Sequence, residues 1–354
     1  MFHILGVSVK HTIKKLALGT ALLLPSLLLP ALLSQVANAA DSTAAKPELN
    51  VYTYDSFASD WGPGPKIKAA FESQCGCELN LVTLEDGVSI LNRVKLEGKY
   101  TKADVLLGLD NNLMAEAQQT QLLAPHNLDT SNLSLPNEWE NDYFIPFDYG
   151  HFAFIYDSEK LTNPPASLAE LIARKDLSII YQDPRTSTPG LGFMLWVKAV
   201  YGDKSPQAWQ QIADKTVTIT KGWSQAYGMF LKGEADMVLS YTTSPAYHMI
   251  SENDYKYKAA PFAEGHYQQT EVVARLKEAA NPKLADQFMA FVLTPAFQDV
   301  MATGNWMLPA KQAAALPAEF NQLITPAKTL EFSPKKVADE RKAWIKEWRN
   351  AVTH

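Results

Sequence analysis

The sequence predicts an α/β protein of two lobes joined by a hinge, with a ligand cleft between them. Three observations carry that expectation. Aliphatic and β-branched runs alternate with amphipathic stretches through short turns, the pattern of a mainly parallel sheet with right-handed crossovers. Two apolar segments, Tyr143–Tyr156 and Tyr255–Ala263, read as crossings of the chain, which assigns 48–147 plus 260–354 to one lobe and 148–259 to the other. Trp223 and Tyr241 directly follow predicted strands, the position where open α/β sheets bind ligands.

The chain opens with a segment outside this fold. Lys10, Lys14 and Lys15 precede an apolar run from Leu16 to Leu33, and Ala37-Asn38-Ala39 is a small-x-small cleavage site. This is a secretory signal peptide with cleavage expected after Ala39. A membrane anchor would need about 20 uninterrupted apolar residues, and Pro25 and Pro30 break the run. The mature protein is therefore expected to be exported, soluble and not inserted in the membrane.

The formal charge of the full chain is −6, and losing the three leader lysines takes it to about −9. That balance argues against nucleic acid and is compatible with a cationic ligand. The two cysteines, Cys75 and Cys77, provide no disulfide framework; a local bridge is favoured over a metal or redox pair, because no His or second Cys pair lies near.

The first lobe begins with a strand, Glu48–Tyr54, and a Pro/Gly-rich turn around Trp61, followed by a helix with Ile67, Ala70 and Phe71 on one face. Strand Glu78–Leu84 leads through Asp86-Gly87 to a helix carrying Ile90, Leu91 and Val94, and Asp104–Gly108 is a third, buried strand. In the second lobe, Ser167–Ala173, Ser178–Tyr181 and Leu191–Tyr201 read as helix, strand and helix. The unbroken β-branched run Thr216–Thr220 suggests a buried strand. Gly222 ends it, and Ser224 is placed to cap a helix reaching Gly233. Met237–Leu239 is the next strand, and Pro245 starts a helix after Ser240–Ser244. The tail helix from Ser333-Pro334 carries Val337, Trp344, Trp348 and Ala351 as a packing stripe.

Several of these stretches together carry a resemblance. Val51–Phe57, Trp61–Pro65, Leu84–Ser89, Gly108–Asn112, Tyr181–Gly190, Ser240–Tyr247 and Thr303–Met307 resemble the periplasmic thiamine-binding family, soluble receptors of bacterial ABC importers. The resemblance covers essentially the whole mature chain. It implies a type II periplasmic binding protein fold, no catalytic activity and no metal. The implied partners are a membrane permease and a ligand that is thiamine, thiamine monophosphate or thiamine diphosphate, with no other cofactor. A monomer is expected. The family's binding positions fall on Asp86, Gly87, Ser187, Thr188, Trp223, Tyr241, Thr242, Thr243 and Ser244, with Tyr54, Trp61, Tyr247 and Trp306 as the surrounding aromatic residues.

The residue types suit such a ligand. A flat cation is held by aromatic faces, with cation–π contact contributing about 0.5–2 kcal/mol. Asp86 reads equally as a helix cap and as a ligand contact. Ser187, Thr188 and Pro189 form a helix start that can receive an anion, with Arg185 assigned to a structural pair with Asp183. Three rival readings have some support in the residues. A serine hydrolase is suggested by Gly222-Trp-Ser224-Gln-Ala226, which departs from G-x-S-x-G at its last position; His248 and His266 show no evident acid partner in the sequence. A ferric-ion receptor would lack adjacent tyrosines, and a polyamine receptor would need carboxylates at both ends of the cleft.

Overall fold

The computed structural model describes residues 45–312 and 315–353; the expected signal peptide, residues 1–39, lies outside them. The described chain starts with β1 (Glu48–Tyr54), α1 (Asp55–Ala58), α2 (Gly64–Cys75), β2 (Glu78–Leu84), α3 (Gly87–Glu97), β3 (Val105–Asp110), α4 (Met114–Gln119) and β4 (Leu123–Ala124). The long β5 (Phe144–Asp157) follows, then α5 (Leu168–Ala173), β6 (Ile179–Gln182), α6 (Thr188–Tyr201) and α7 (Ser205–Ala213). Next come β7 (Thr216–Thr220), α8 (Trp223–Leu231), β8 (Met237–Tyr241), α9 (Pro245–Tyr247), β9 (Tyr257–Ala259) and β10 (His266–Leu276). The chain closes with α10 (Pro282–Val292), α11 (Pro295–Gln298), β11 (Leu308–Pro309), β12 (Thr329–Leu330) and α12 (Pro334–Val352).

The strands lie in the order β2-β1-β3-β10-β5-β8-β6-β7. The flanks are parallel, β2-β1-β3 on one side and β8-β6-β7 on the other. The middle is antiparallel, because β10 pairs β3 and β5, and β5 pairs β8, in opposite directions. The expectation of a mainly parallel sheet is corrected accordingly: local β-turn-α units set parallel neighbours, but the two long strands meet only across great sequence separation. The amino-terminal half of β5 pairs β10, and its carboxy-terminal half pairs β8 and β9. One strand therefore runs unbroken from one set of partners to the other, the change falling between His151 and Phe152. Gly150 sits near the change of partner; a Cβ there would lie 2.8 Å from Met307 Cε.

Two further expectations are corrected. Thr216–Thr220 is an edge strand with Val217 half exposed; a β-branched run fits a sheet edge as well as its interior. Gly222, not Ser224, is the N-cap of α8, because the extended backbone needed at a cap already falls two residues earlier.

Packing unites the lobes. One core gathers Tyr52 and Leu91 from one lobe with Phe154, Trp196 and Trp209 from the other, and Trp348 of α12 joins it. A second core, with Phe57, Phe71, Phe147, Phe288 and Phe297, underlies the first lobe, and a third, with Tyr227 and Phe230, underlies the second. The α12 stripe is as read, with Arg341 added to it and bound to Glu116 of α4 at 2.5 Å. Cys75 and Cys77 are bridged.

Candidate functional site

A cavity of about 370 Å³ opens between the lobes, where the second and third cores stop short of each other. Its walls include Tyr54, Trp61, Asp86, Trp223, Tyr241, Ser244, Tyr247 and Trp306. Eight of the residues singled out from the sequence are thus brought to one place. Gly87, Ser187, Thr188, Thr242 and Thr243 are not on its walls; they form the buried layer behind it.

Each aromatic is held from behind. Trp223, the first residue of α8, stacks on Tyr227 at 4.9 Å and donates its indole N–H to Ser240 Oγ at 2.8 Å. Tyr241, the last residue of β8, lies against Phe152 at 5.2 Å, and its hydroxyl donates to Gln269 Oε1 at 2.8 Å. Trp61, 53 % exposed at the rim, approaches Trp223 to 6.2 Å. Trp306 meets Tyr247 edge to face at 5.3 Å. Its backbone is left-handed, φ +58°, after a π-helical turn Met301–Asn305. A bulky residue held there costs about 1–3 kcal/mol and marks a site whose surroundings over-determine it.

Asp86 precedes α3 as its N-cap residue but makes no side-chain cap bond to it. Its carboxylate instead accepts the backbone N–H of Trp223 at 3.1 Å, capping the helix of the opposite lobe. Burial, with the neighbouring Asp55 and Glu271 carboxylates, pushes Asp86 well above the usual carboxylate range against the hydrogen bonds from Ser187 and Trp223. Asp55 receives the Ser224 hydroxyl at 2.9 Å. Ser187 is fully buried and uses its hydroxyl oxygen to accept the Gly190 N–H. The starts of α3 and α6 abut: a Cβ added to Gly87 would lie 2.7 Å from Thr188 Cγ2 and 2.1 Å from the Gly108 carbonyl oxygen. Only glycine allows that approach.

The hydrolase reading loses its geometry. His248 does have an acid partner, Glu252 at 2.6 Å, contrary to the sequence expectation. Its other ring nitrogen is engaged by the Tyr227 hydroxyl at 2.9 Å, while Ser224 is committed to Asp55. Arg185 pairs with Asp183 as expected.

Sequence reasoning missed Ser56, Tyr227, Glu271, Asn305 and Met307, all of which line the cavity. Glu271 had a signal: Gln268-Gln269-Thr270-Glu271 is a polar run inside a strand that continues as Val272-Val273. Polar residues in a central strand need a reason.

An aromatic-walled cavity with an acidic floor between two lobes that share one continuous strand defines a solute receptor. The chain matches the model of the bacterial extracellular solute-binding protein family over residues 66–327, and it belongs to that family. It is 60 % identical to the thiamine-binding periplasmic protein of Salmonella typhimurium over 87 % of this chain and 94 % of that one. The protein of the same name from Escherichia coli is 59 % identical, again over 87 % and 94 %. A solved structure, "Periplasmic thiamin binding protein", superposes with a TM-score of 0.86 at 59 % identity, covering 87 % of this chain and 97 % of that one.

Proposed function

We propose that this chain is a periplasmic receptor that binds thiamine in the interlobe cavity and delivers it to the permease of an ABC importer. The observation that carries the reading is the composition of the cavity: Trp61, Trp223, Tyr241, Tyr247 and Trp306 around carboxylates of Asp86 and Glu271. A planar cation needs aromatic faces and a counter-charge, and both are present. Stacking contributes about 1–3 kcal/mol per ring, and nanomolar affinity requires about −12 kcal/mol. Several rings must therefore act together, which an enclosed cavity permits. The names of the relatives support the same ligand and compartment.

Thiamine monophosphate and diphosphate are proposed as further ligands. Their phosphate would lie toward the paired helix starts at Gly87 and at Ser187-Thr188, with Thr242, Thr243 and Ser244 nearby, where helix dipoles favour an anion. A monomer suffices, since one chain supplies the whole cavity. Titrating thiamine into the purified protein while following tryptophan emission tests the reading. Saturable quenching at micromolar thiamine or below is expected; no change and no calorimetric heat would overturn it.

A further inference from the structure

Glu271 and Asp148 are register partners on β10 and β5, so their side chains leave the same face of the sheet. Glu271 reaches the cavity wall, and Asp148 lies behind it without exposure. The Asn305 amide bridges them, donating to Asp148 Oδ2 at 2.6 Å and to Glu271 Oε2 at 3.1 Å. The Tyr54 hydroxyl donates to Glu271 Oε2 at 2.8 Å. Asp148 Oδ1 has no hydrogen-bond partner among the described residues.

The groups that face this pair come from every packed element. They are Tyr54 of β1, Tyr241 of β8, Gln269 of β10 itself, and Asp86 at the start of α3. Asp110 of β3 is the register partner of Glu271 on its other side, where its carboxylate accepts the Asn112 amide and the backbone N–H groups of Asn112 and Leu113. All are neutral or acidic; no cation is among them. Two buried carboxylates set opposite each other cannot both ionise without compensation. Burial raises both above the usual range, Asp148 to about 7, and the Asp148 charge raises Glu271 further.

We propose that the Glu271–Asp148 pair is the counter-charge for the ligand, sharing one proton in the ligand-free protein and releasing it to solvent when the cationic ring enters. The inference rests on the thiamine reading. One carboxylic O–H bond breaks heterolytically and its proton passes to buffer. The pair goes from one negative charge to two, and the thiazolium supplies the compensating positive charge. Recognition of a cation is then linked to pH, although no side chain leaves its place.

Calorimetry of thiamine binding to the purified protein, in phosphate and in Tris at the same pH, reads the proton directly. The heats should differ by the amount expected for release of about one proton per thiamine. Affinity should rise by up to about tenfold per unit between roughly pH 6 and 8. The double variant Glu271→Gln, Asp148→Asn should bind thiamine at least about tenfold more weakly and release no proton. Identical heats in both buffers, with thiamine bound, would overturn the proposal and leave the receptor reading standing. Proton release persisting in the double variant would also overturn it, by assigning the proton elsewhere. Absence of any thiamine binding to the unaltered protein would overturn the receptor reading and this proposal with it.

Discussion

The carboxylate of Asp86 and the backbone N–H of Trp223 meet at 3.1 Å across the gap between the lobes. Asp86 sits at the start of one lobe's helix and satisfies the first amide of the other's. It therefore fixes where the Trp223 ring stands when the cavity is closed, and Asp55 with Ser224 repeats the device one residue further on.

Asp86→Ala is expected to weaken thiamine binding by roughly tenfold, the equivalent of one lost buried hydrogen bond. Unfolding of the ligand-free protein should change little or shift upward, since a buried carboxylate is removed with its bond. Calorimetry and thermal melting on the same sample check both halves. A large drop in melting temperature with unaltered affinity would make Asp86 a structural residue only.

Trp223→Ala should lower thiamine affinity by about 1–3 kcal/mol, or ten- to a hundred-fold. The ring is partly exposed and its removal opens the cavity rather than a core. Tyr241→Ala is expected to behave differently. Its ring packs on Phe152 and its hydroxyl binds Gln269, so truncation should cost both affinity and about 2–4 kcal/mol of stability. Tyr241→Phe should recover most of the stability.

Ser187→Ala with Thr188→Ala separates the two ends of the ligand. If phosphate lies at this helix start, affinity for thiamine monophosphate should fall by about tenfold or more while thiamine loses less. Loss of the Ser187 cap should also cost about 1 kcal/mol of stability. Equal losses for both ligands in parallel titrations would make the helix start a cap without a role in reading phosphate.

The raised carboxylates should cost the ligand-free protein stability as pH climbs from the unfolded carboxylate value near 4 through the Asp148 value of about 7. Asp86, Asp148 and Glu271 have folded-state pKa values above their unfolded ones. The folded protein thus binds more protons, and the stability they contribute is lost as pH climbs through the raised values. On the acid side, His151, His248 and His266 are held neutral by burial. Their lowered values remove stability as pH falls below about 6.5. Between about pH 4 and 6.5 the two sets oppose each other, and above about 6.5 only the carboxylates act, so melting curves without ligand should fall as pH rises past about 6.5. Stability that kept rising toward pH 8.5 would contradict the raised carboxylates.

Most elements were readable because their signals are local. The Ser333-Pro334 start of α12 and its tryptophan stripe, or the Glu78–Leu84 strand before Asp86-Gly87, follow from spacing and capping alone. What escaped depends on long-range pairing. The antiparallel meeting of β5 and β10 joins Asp148 to Glu271, residues whose opposition no local pattern announces. Tyr227 carries no local signal within α8, yet it supports Trp223 on one side and His248 on the other. Thr216–Thr220 shows the opposite failure, a strong local signal that does not say whether a strand is central or at an edge.

Tyr54 and Asn305 touch although they stand 251 positions apart in sequence, and the cavity needs both. A chain emerging in order has no complete binding site until nearly all of it is available, and α12, which packs on α7 and α4, comes later still. Contacts of such separation form slowly. Ligand capture therefore waits on completed folding: a chain still emerging offers thiamine no site, and binding rewards only the finished molecule.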